Sequence, residues 1–137
     1  MKRAFLFSLI ILLLCCSSCS TAPQEKQHYL DLSNFSSFTA EIRDFSYDAN
    51  SYTAHMAFEL RPDGYYINEF VLEGRNLSIA RANGLLEKVS VGDIVTVTSA
   101  ACVFYNGDSM PVVALTVNGE SLLDFDEGYA NLIDSYD

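Results

Sequence analysis

Residues 52–61, YTAHMAFELR, show the most regular alternation in the chain. A period of two over this length is typical of a β-strand that buries one face and leaves the other partly exposed. The predicted buried face consists of Tyr52, Ala54, Met56, Phe58 and Leu60. The opposite face carries Thr53, His55, Ala57, Glu59 and Arg61.

Apolar segments on both sides of this strand end at turn-forming residues. Further strands are predicted at residues 38–47, 65–73, 77–80, 94–105, 111–117 and 120–125. Residues 74–76 are interpreted as a turn or bulge. The dipeptide Asn118-Gly119 favours a type I′ hairpin turn, because that turn needs positive φ at both central residues. The sequence therefore predicts a mainly β fold.

Two short helices are predicted among the strands. Residues 83–89 form the first, with Asn83 as its candidate N-cap. Residues 126–136 form the second, a closing helix, since Asp126 and Glu127 suit a helix N-terminus. Its apolar side chains recur at helical spacing and should pack on the strands: Tyr129, Leu132, Ile133 and Tyr136.

Residues 91–97, VGDIVTV, follow the first helix and resemble the helix-to-strand entry of an OB-fold. The resemblance covers residues 38–117. It implies a small antiparallel β-barrel of five to six strands, with one short internal helix and a short C-terminal helix. The Asn118-Gly119 hairpin adds a strand beyond the usual five, so another small antiparallel barrel or a sandwich is the alternative.

The N-terminal residues are similar to a lipoprotein export signal. A basic start precedes an almost wholly apolar run at residues 4–14, which is short for a membrane span and typical of a secretory signal. The small residues before Cys19 resemble a bacterial lipobox. This resemblance implies that residues 1–18 are a signal peptide and that Cys19 is lipidated. Cys16 is the second choice, and an ordinary cleaved signal is the alternative.

The domain organisation follows from that interpretation. Residues 19–34 are expected to be the lipidated cysteine and a flexible tether, because residues 20–27 are polar and contain a proline. Residues 35–137 are expected to form a single β-barrel domain. The mature chain resembles small bacterial lipoproteins, which implies an extracytoplasmic, lipid-anchored location at the cell membrane or outer membrane. That resemblance implies no activity.

The charge balance limits the class of partner. The chain has 8 Lys and Arg against 18 Asp and Glu. Removal of a signal that contains Lys2 and Arg3 leaves 6 basic residues, a net charge of −12. Binding to nucleic acid or anionic lipid through charge needs a basic surface. We therefore expect no nucleic-acid partner, and attachment to the membrane through the N-terminal lipid.

Aromatic residues beside predicted turns are the candidate ligand-binding residues: Tyr65, Tyr66 and Tyr105. Exposed aromatic rings at barrel loops can stack on sugar rings or peptides, and OB-folds bind oligosaccharides. Adjacent strand residues point to opposite faces, so packing in the core is the alternative for about half of these rings.

Other chemistry-bearing residues suggest no cofactor and no catalysis. Cys102 lies in an apolar run and is expected to be a buried structural cysteine. Asp124, Asp126 and Glu127 are too few for a calcium loop, so no metal is expected. Neither a nucleophile elbow nor a distinct pair of carboxylates indicates an enzyme.

The sequence thus favours a non-enzymatic envelope lipoprotein that binds glycan or peptide. The alternative is a structural or accessory subunit of an envelope protein complex, with no small ligand.

Overall fold

The computed structural model describes residues 22–59, 66–100 and 110–137. These residues contain six strands: β1 (Phe35–Asp48), β2 (Thr53–Glu59), β3 (Tyr66–Glu73), β4 (Ile94–Ala100), β5 (Met110–Val117) and β6 (Glu120–Leu123). They also contain four α-helices: α1 (Ala22–Leu30), α2 (Gly74–Ala82), α3 (Leu85–Lys88) and α4 (Phe125–Asp134). A 3₁₀ turn at Leu32–Asn34 joins α1 to β1. The predicted mainly β fold is confirmed.

The strands form one sheet in the order β3-β2-β1-β4-β5-β6, in which all neighbours are antiparallel. The long strand β1 pairs with β4 along its first half and with β2 along its second half. In addition, β3 pairs with β5 in parallel, with Phe70 opposite Met110 and Val71 opposite Pro111. At these two positions β3 therefore has a partner strand on each side.

The alternation in β2 builds the core, as predicted. Ala54, Met56 and Phe58 are completely buried. The ring of Phe58 contacts those of Phe38 on β1 and Phe70 on β3, with centroids between 4.9 and 5.3 Å apart in tilted or edge-to-face geometry. Aromatic pairs prefer such geometry, and these three rings connect three strands.

The predicted hairpin and closing helix are both present. Asn118 and Gly119 have φ values of +49° and +87°, the signs that a type I′ turn requires. Helix α4 packs on β5 at Gly128, where an added Cβ would lie 2.0 Å from the carbonyl oxygen of Val113. The absence of a side chain at Gly128 thus allows the helix backbone to approach the strand.

The turn and short strand predicted at residues 74–80 are wrong. This segment belongs to α2, where Asn76, Leu77 and Ala80 are buried. Their spacing follows the period of a helix. A run of apolar residues as short as residues 77–80 does not distinguish this period from the period of two of a strand. The internal helical region therefore has two helices instead of one. The second, α3, has Gly84 as its N-cap instead of Asn83, with φ of +94°.

The structure also differs from the flexible tether expected within residues 19–34. Helix α1 occupies part of this segment, and its Tyr29 is only 6% exposed. The Tyr29 ring lies near those of Tyr136 and Phe35, with centroids 5.7 and 6.4 Å away. One buried aromatic side chain in a polar segment thus holds the helix against the domain, since it removes a large apolar area from water.

The aromatic cluster generates a stability prediction. We expect Phe58→Ala to lower the free energy of unfolding by about 3–5 kcal/mol, because a completely buried ring leaves a cavity. Urea unfolding of the full chain, followed by circular dichroism, measures this change. Thr53→Ala, on the opposite face of the same strand, is the matched control and should change stability much less. A loss below about 1 kcal/mol for Phe58→Ala would contradict its place in the core.

Candidate functional site

A cleft lies between α1, α4 and the end of the sheet formed by β2, β3 and β5. It has two adjoining lobes, with cavity volumes of about 390 and 320 Å³. The lobes share the lining residues Val71, Glu73, Pro111, Leu132 and Ser135. Small-molecule sites have volumes of about 300–1,000 Å³ and combine apolar walls with a few polar groups. The cleft is therefore the candidate functional site.

The first lobe is bounded by the β1–β2 turn, the start of α2 and one side of α4. Its own lining residues are Ser51, Tyr52, Gly74, Arg75, Asn76, Val112 and Asn131. The guanidinium of Arg75 lies 3.7 Å from a carboxylate oxygen of Asp134, and both side chains are well exposed. Because such exposed pairs contribute little to stability, Arg75 remains available to a ligand at the rim.

The second lobe lies between α1 and β2. Its own lining residues are Glu25, Tyr29, Thr53, His55 and Tyr136. The Tyr136 hydroxyl donates a hydrogen bond of 3.1 Å to Glu25. Burial, together with the neighbouring Tyr29 and Glu25, raises the pKa of Tyr136 above its ordinary value. A phenol is protonated at neutral pH in any case, and the upward shift lets this one keep donating into the alkaline range.

Asn76 connects the elements that form the first lobe. Its amide nitrogen donates to the carbonyl oxygens of Val112 and Gly128, at 3.2 and 2.9 Å. Its amide oxygen accepts a hydrogen bond of 3.0 Å from Asn131. Since Asn76 is buried, these bonds satisfy polar groups that would otherwise be costly to bury. They hold α2, β5 and α4 in a fixed arrangement.

Tyr52 on the rim of the first lobe has a strained backbone. Its φ is +54°, a value that bulky residues rarely adopt and that costs about 1–3 kcal/mol. The Tyr52 hydroxyl lies 3.1 Å from the Ser78 hydroxyl. The Arg81 guanidinium lies 5.5 Å from the centre of the Tyr52 ring and 4.9 Å from that of Tyr47. The hydrogen bond with Ser78, and then Arg81, lower the pKa of the Tyr52 phenol.

The prediction that Tyr52 lies on the buried face of the strand is wrong. Its side chain is 37% exposed, because the turn extends to this residue and β2 begins at Thr53. Asp48 explains the longer turn, since its carboxylate accepts hydrogen bonds from the Asn50 amide and the Ser51 hydroxyl, at 2.8 and 2.9 Å. These local bonds compete with strand pairing.

Most of the predicted site residues lie outside the part of the chain that the structure describes. Cys19, Tyr65 and Tyr105 lie outside the described residues, as do Leu60 and Cys102. Tyr66 begins β3, where it pairs with Glu59. Ligand binding by the three tyrosines and lipidation of Cys19 therefore stay predictions. Tyr52 meets the same criterion as Tyr65, because it is an aromatic residue beside a turn. The sequence nevertheless predicts a core position for it, since it continues the alternation of the following residues.

The acidic residues near the C-terminus have structural contacts. The Asp124 carboxylate accepts a hydrogen bond of 2.6 Å from the Ser121 hydroxyl, and Asp126 and Glu127 occupy the first turn of α4. Within the described ranges, no three His, Cys, Asp or Glu side chains are grouped so as to hold a metal ion.

No protein-family profile and no curated protein matches the chain. In the part of the chain that the structure describes, no helix is long and apolar enough to cross a bilayer. The cleft geometry and the sequence patterns are therefore the basis for a functional proposal.

The buried amide network generates a second stability prediction. Asn76→Ala should lower the free energy of unfolding by about 1–3 kcal/mol, because it removes two buried hydrogen bonds to backbone carbonyls and the acceptor of the Asn131 amide. Thermal and urea unfolding measure the change. The matched control is Asn83→Ala, which removes a single, partly buried hydrogen bond of 3.0 Å from an exposed residue to the Leu122 carbonyl. Equal losses for the two variants would show that the network does not hold the lobe together.

Proposed function

We propose that the chain is a non-enzymatic binding module of the cell envelope. It is anchored to a membrane through lipid on Cys19, and it binds glycan or peptide in the cleft between α1, α4 and the sheet. The observation that supports this proposal best is the cleft itself, which combines two adjoining cavities with apolar walls and several polar side chains.

We further propose that the sheet is closed into an OB-like barrel. The pairings support this, because they follow a ring from β1 through β2, β3, β5 and β4 and back to β1. The helices α2 and α3 connect β3 to β4, and β6 extends the sheet beyond the ring. OB-folds bind oligosaccharides and oligonucleotides. The acidic charge of this chain disfavours the oligonucleotide.

The proposed anchor lies close to the cleft along the chain. Helix α1 begins at Ala22, three residues after Cys19. Three residues span at most about 10 Å, even when fully extended. Because Glu25 and Tyr29 of the same helix line the second lobe, the proposed lipid would hold the cleft near the membrane surface.

The anchor is tested by Cys19→Ala. We expect the parent chain to incorporate labelled palmitate and to fractionate with membranes, and the variant to lose both properties, because the cysteine supplies the thiol that is acylated. Cys16→Ala is the control and should retain both. Labelling that persists in Cys19→Ala and is lost in Cys16→Ala would place the lipid on the earlier cysteine.

The binding role is tested by photocrosslinking from inside the cleft. A benzophenone amino acid replaces Ser135, which lines both lobes, in the full chain expressed in its native envelope. The control position is Ser121, an exposed residue on β6. We expect sugar or peptide adducts from position 135 and not from position 121. One protein recovered in near-equal amount from both positions would instead identify an accessory subunit of a complex. Absence of any adduct at position 135 would contradict the proposal.

A further inference from the structure

We infer that the ligand of the first lobe is a neutral oligosaccharide, and that the ring of Tyr52 is the surface on which one sugar stacks. This inference rests on the proposed binding function and names the ligand class. The observations behind it are the backbone of Tyr52, the contacts of its ring, the polar groups around it and the pairing of β3.

The backbone of Tyr52 indicates that the turn itself does not require a tyrosine side chain at this position. Its φ of +54° lies in the left-handed region, which glycine adopts without strain. The turn could therefore form equally well without this side chain. Strained residues that the surrounding structure holds in place are concentrated at ligand sites, and Tyr52 lies on the rim of a cavity.

The ring is held in one orientation before any ligand arrives. Ser78 fixes the phenol hydroxyl at 3.1 Å, and Arg81 lies over the ring at 5.5 Å. The same guanidinium lies over Tyr47 at the end of β1, which fixes Arg81 in turn. A ring that is already ordered and still exposed loses little conformational entropy on binding. Such a ring suits contact with the apolar face of a sugar.

The polar groups of the lobe suit hydroxyl groups of a neutral ligand. Asn131 donates through its amide to Asn76, which leaves its amide oxygen and a second N–H for other partners. The Ser51 hydroxyl donates to Asp48, so its oxygen is left as an acceptor. At the same rim Glu73 is negative, and Arg75 is positive and lies 3.7 Å from Asp134. A mixture of donors and acceptors with charges of both signs favours a polyhydroxyl compound over a strongly charged one.

The pairing of β3 disfavours an extended peptide. Peptides commonly bind by adding a strand to an open sheet edge. At the cleft, Val71 of β3 pairs with His55 of β2 on one side and with Pro111 of β5 on the other. Pro111 also lacks an N–H that a peptide could use. At Val71 the wall therefore presents its side chain to a ligand and no free backbone edge.

The test measures sugar binding and stability in the same variants. The full chain is purified in a detergent without a sugar headgroup, and saturation-transfer NMR measures Kd for chitotriose, maltotriose and cellotriose, with trialanine as the peptide probe. We expect at least one trisaccharide to bind. Tyr52→Phe should keep Kd within about threefold, whereas Tyr52→Gly should weaken binding about tenfold, the size of a typical aromatic contact.

The stability of Tyr52→Gly to urea distinguishes a ring that binds sugar from a ring that only stabilises the fold. On this inference Tyr52→Gly is about as stable to urea as the parent chain, because the relief of the strained φ offsets the lost contacts with Ser78 and Arg81. A loss of stability with sugar affinity unchanged would overturn the role of Tyr52. Binding of trialanine, or of no probe at all, would overturn the assignment to sugar. The photocrosslink at Ser135 reports independently whether the cleft binds anything, so the two proposals fail separately.

Discussion

The close approach of α4 to β5 at Gly128 is the contact on which the cleft depends. Because Gly128 has no side chain, the helix lies near enough for its carbonyl oxygen to accept a hydrogen bond from Asn76. Asn131, one turn further along α4, then bonds the amide oxygen of Asn76. Leu132 of the helix and Ser135, which caps its C-terminus, form part of the wall shared by both lobes. A larger side chain at position 128 would separate the helix from the strand and change the whole wall.

Helix α1 depends in turn on α4. A helix of nine residues is marginal by itself in water, so its order comes from docking. Most of that docking comes from Tyr29, whose burial beside Tyr136 removes a large apolar area from water. The ion pair between Lys26 and Asp137 is exposed and contributes little. The order of dependence therefore runs from β5 to α4 and from α4 to α1, and we expect α1 to open before α4.

This order of dependence explains which features could be predicted from the sequence. The strand β2 and the Asn118-Gly119 hairpin have local patterns that long-range contacts do not override. The helix α2 was missed because its burial pattern depends on contacts with β5 and α4. The docking of Tyr29 likewise depends on Tyr136, more than a hundred positions away in the chain. The candidate site was unpredictable for the same reason, since its residues come from separate elements that only the tertiary fold brings together.

Helix α1 follows the proposed anchor directly and also forms a wall of the cleft. The chain from Cys19 to Glu25 spans about 15 Å at most, from three extended residues and one helical turn. The residues after Arg3 carry a net charge of −12, which anionic lipid repels, so charge would not hold the domain flat on a membrane surface. On the proposed anchoring through Cys19, the short tether and the docked helix would leave the aromatic contacts of Tyr29 to set how the domain stands on the membrane. A ligand of the second lobe would then approach along the bilayer surface.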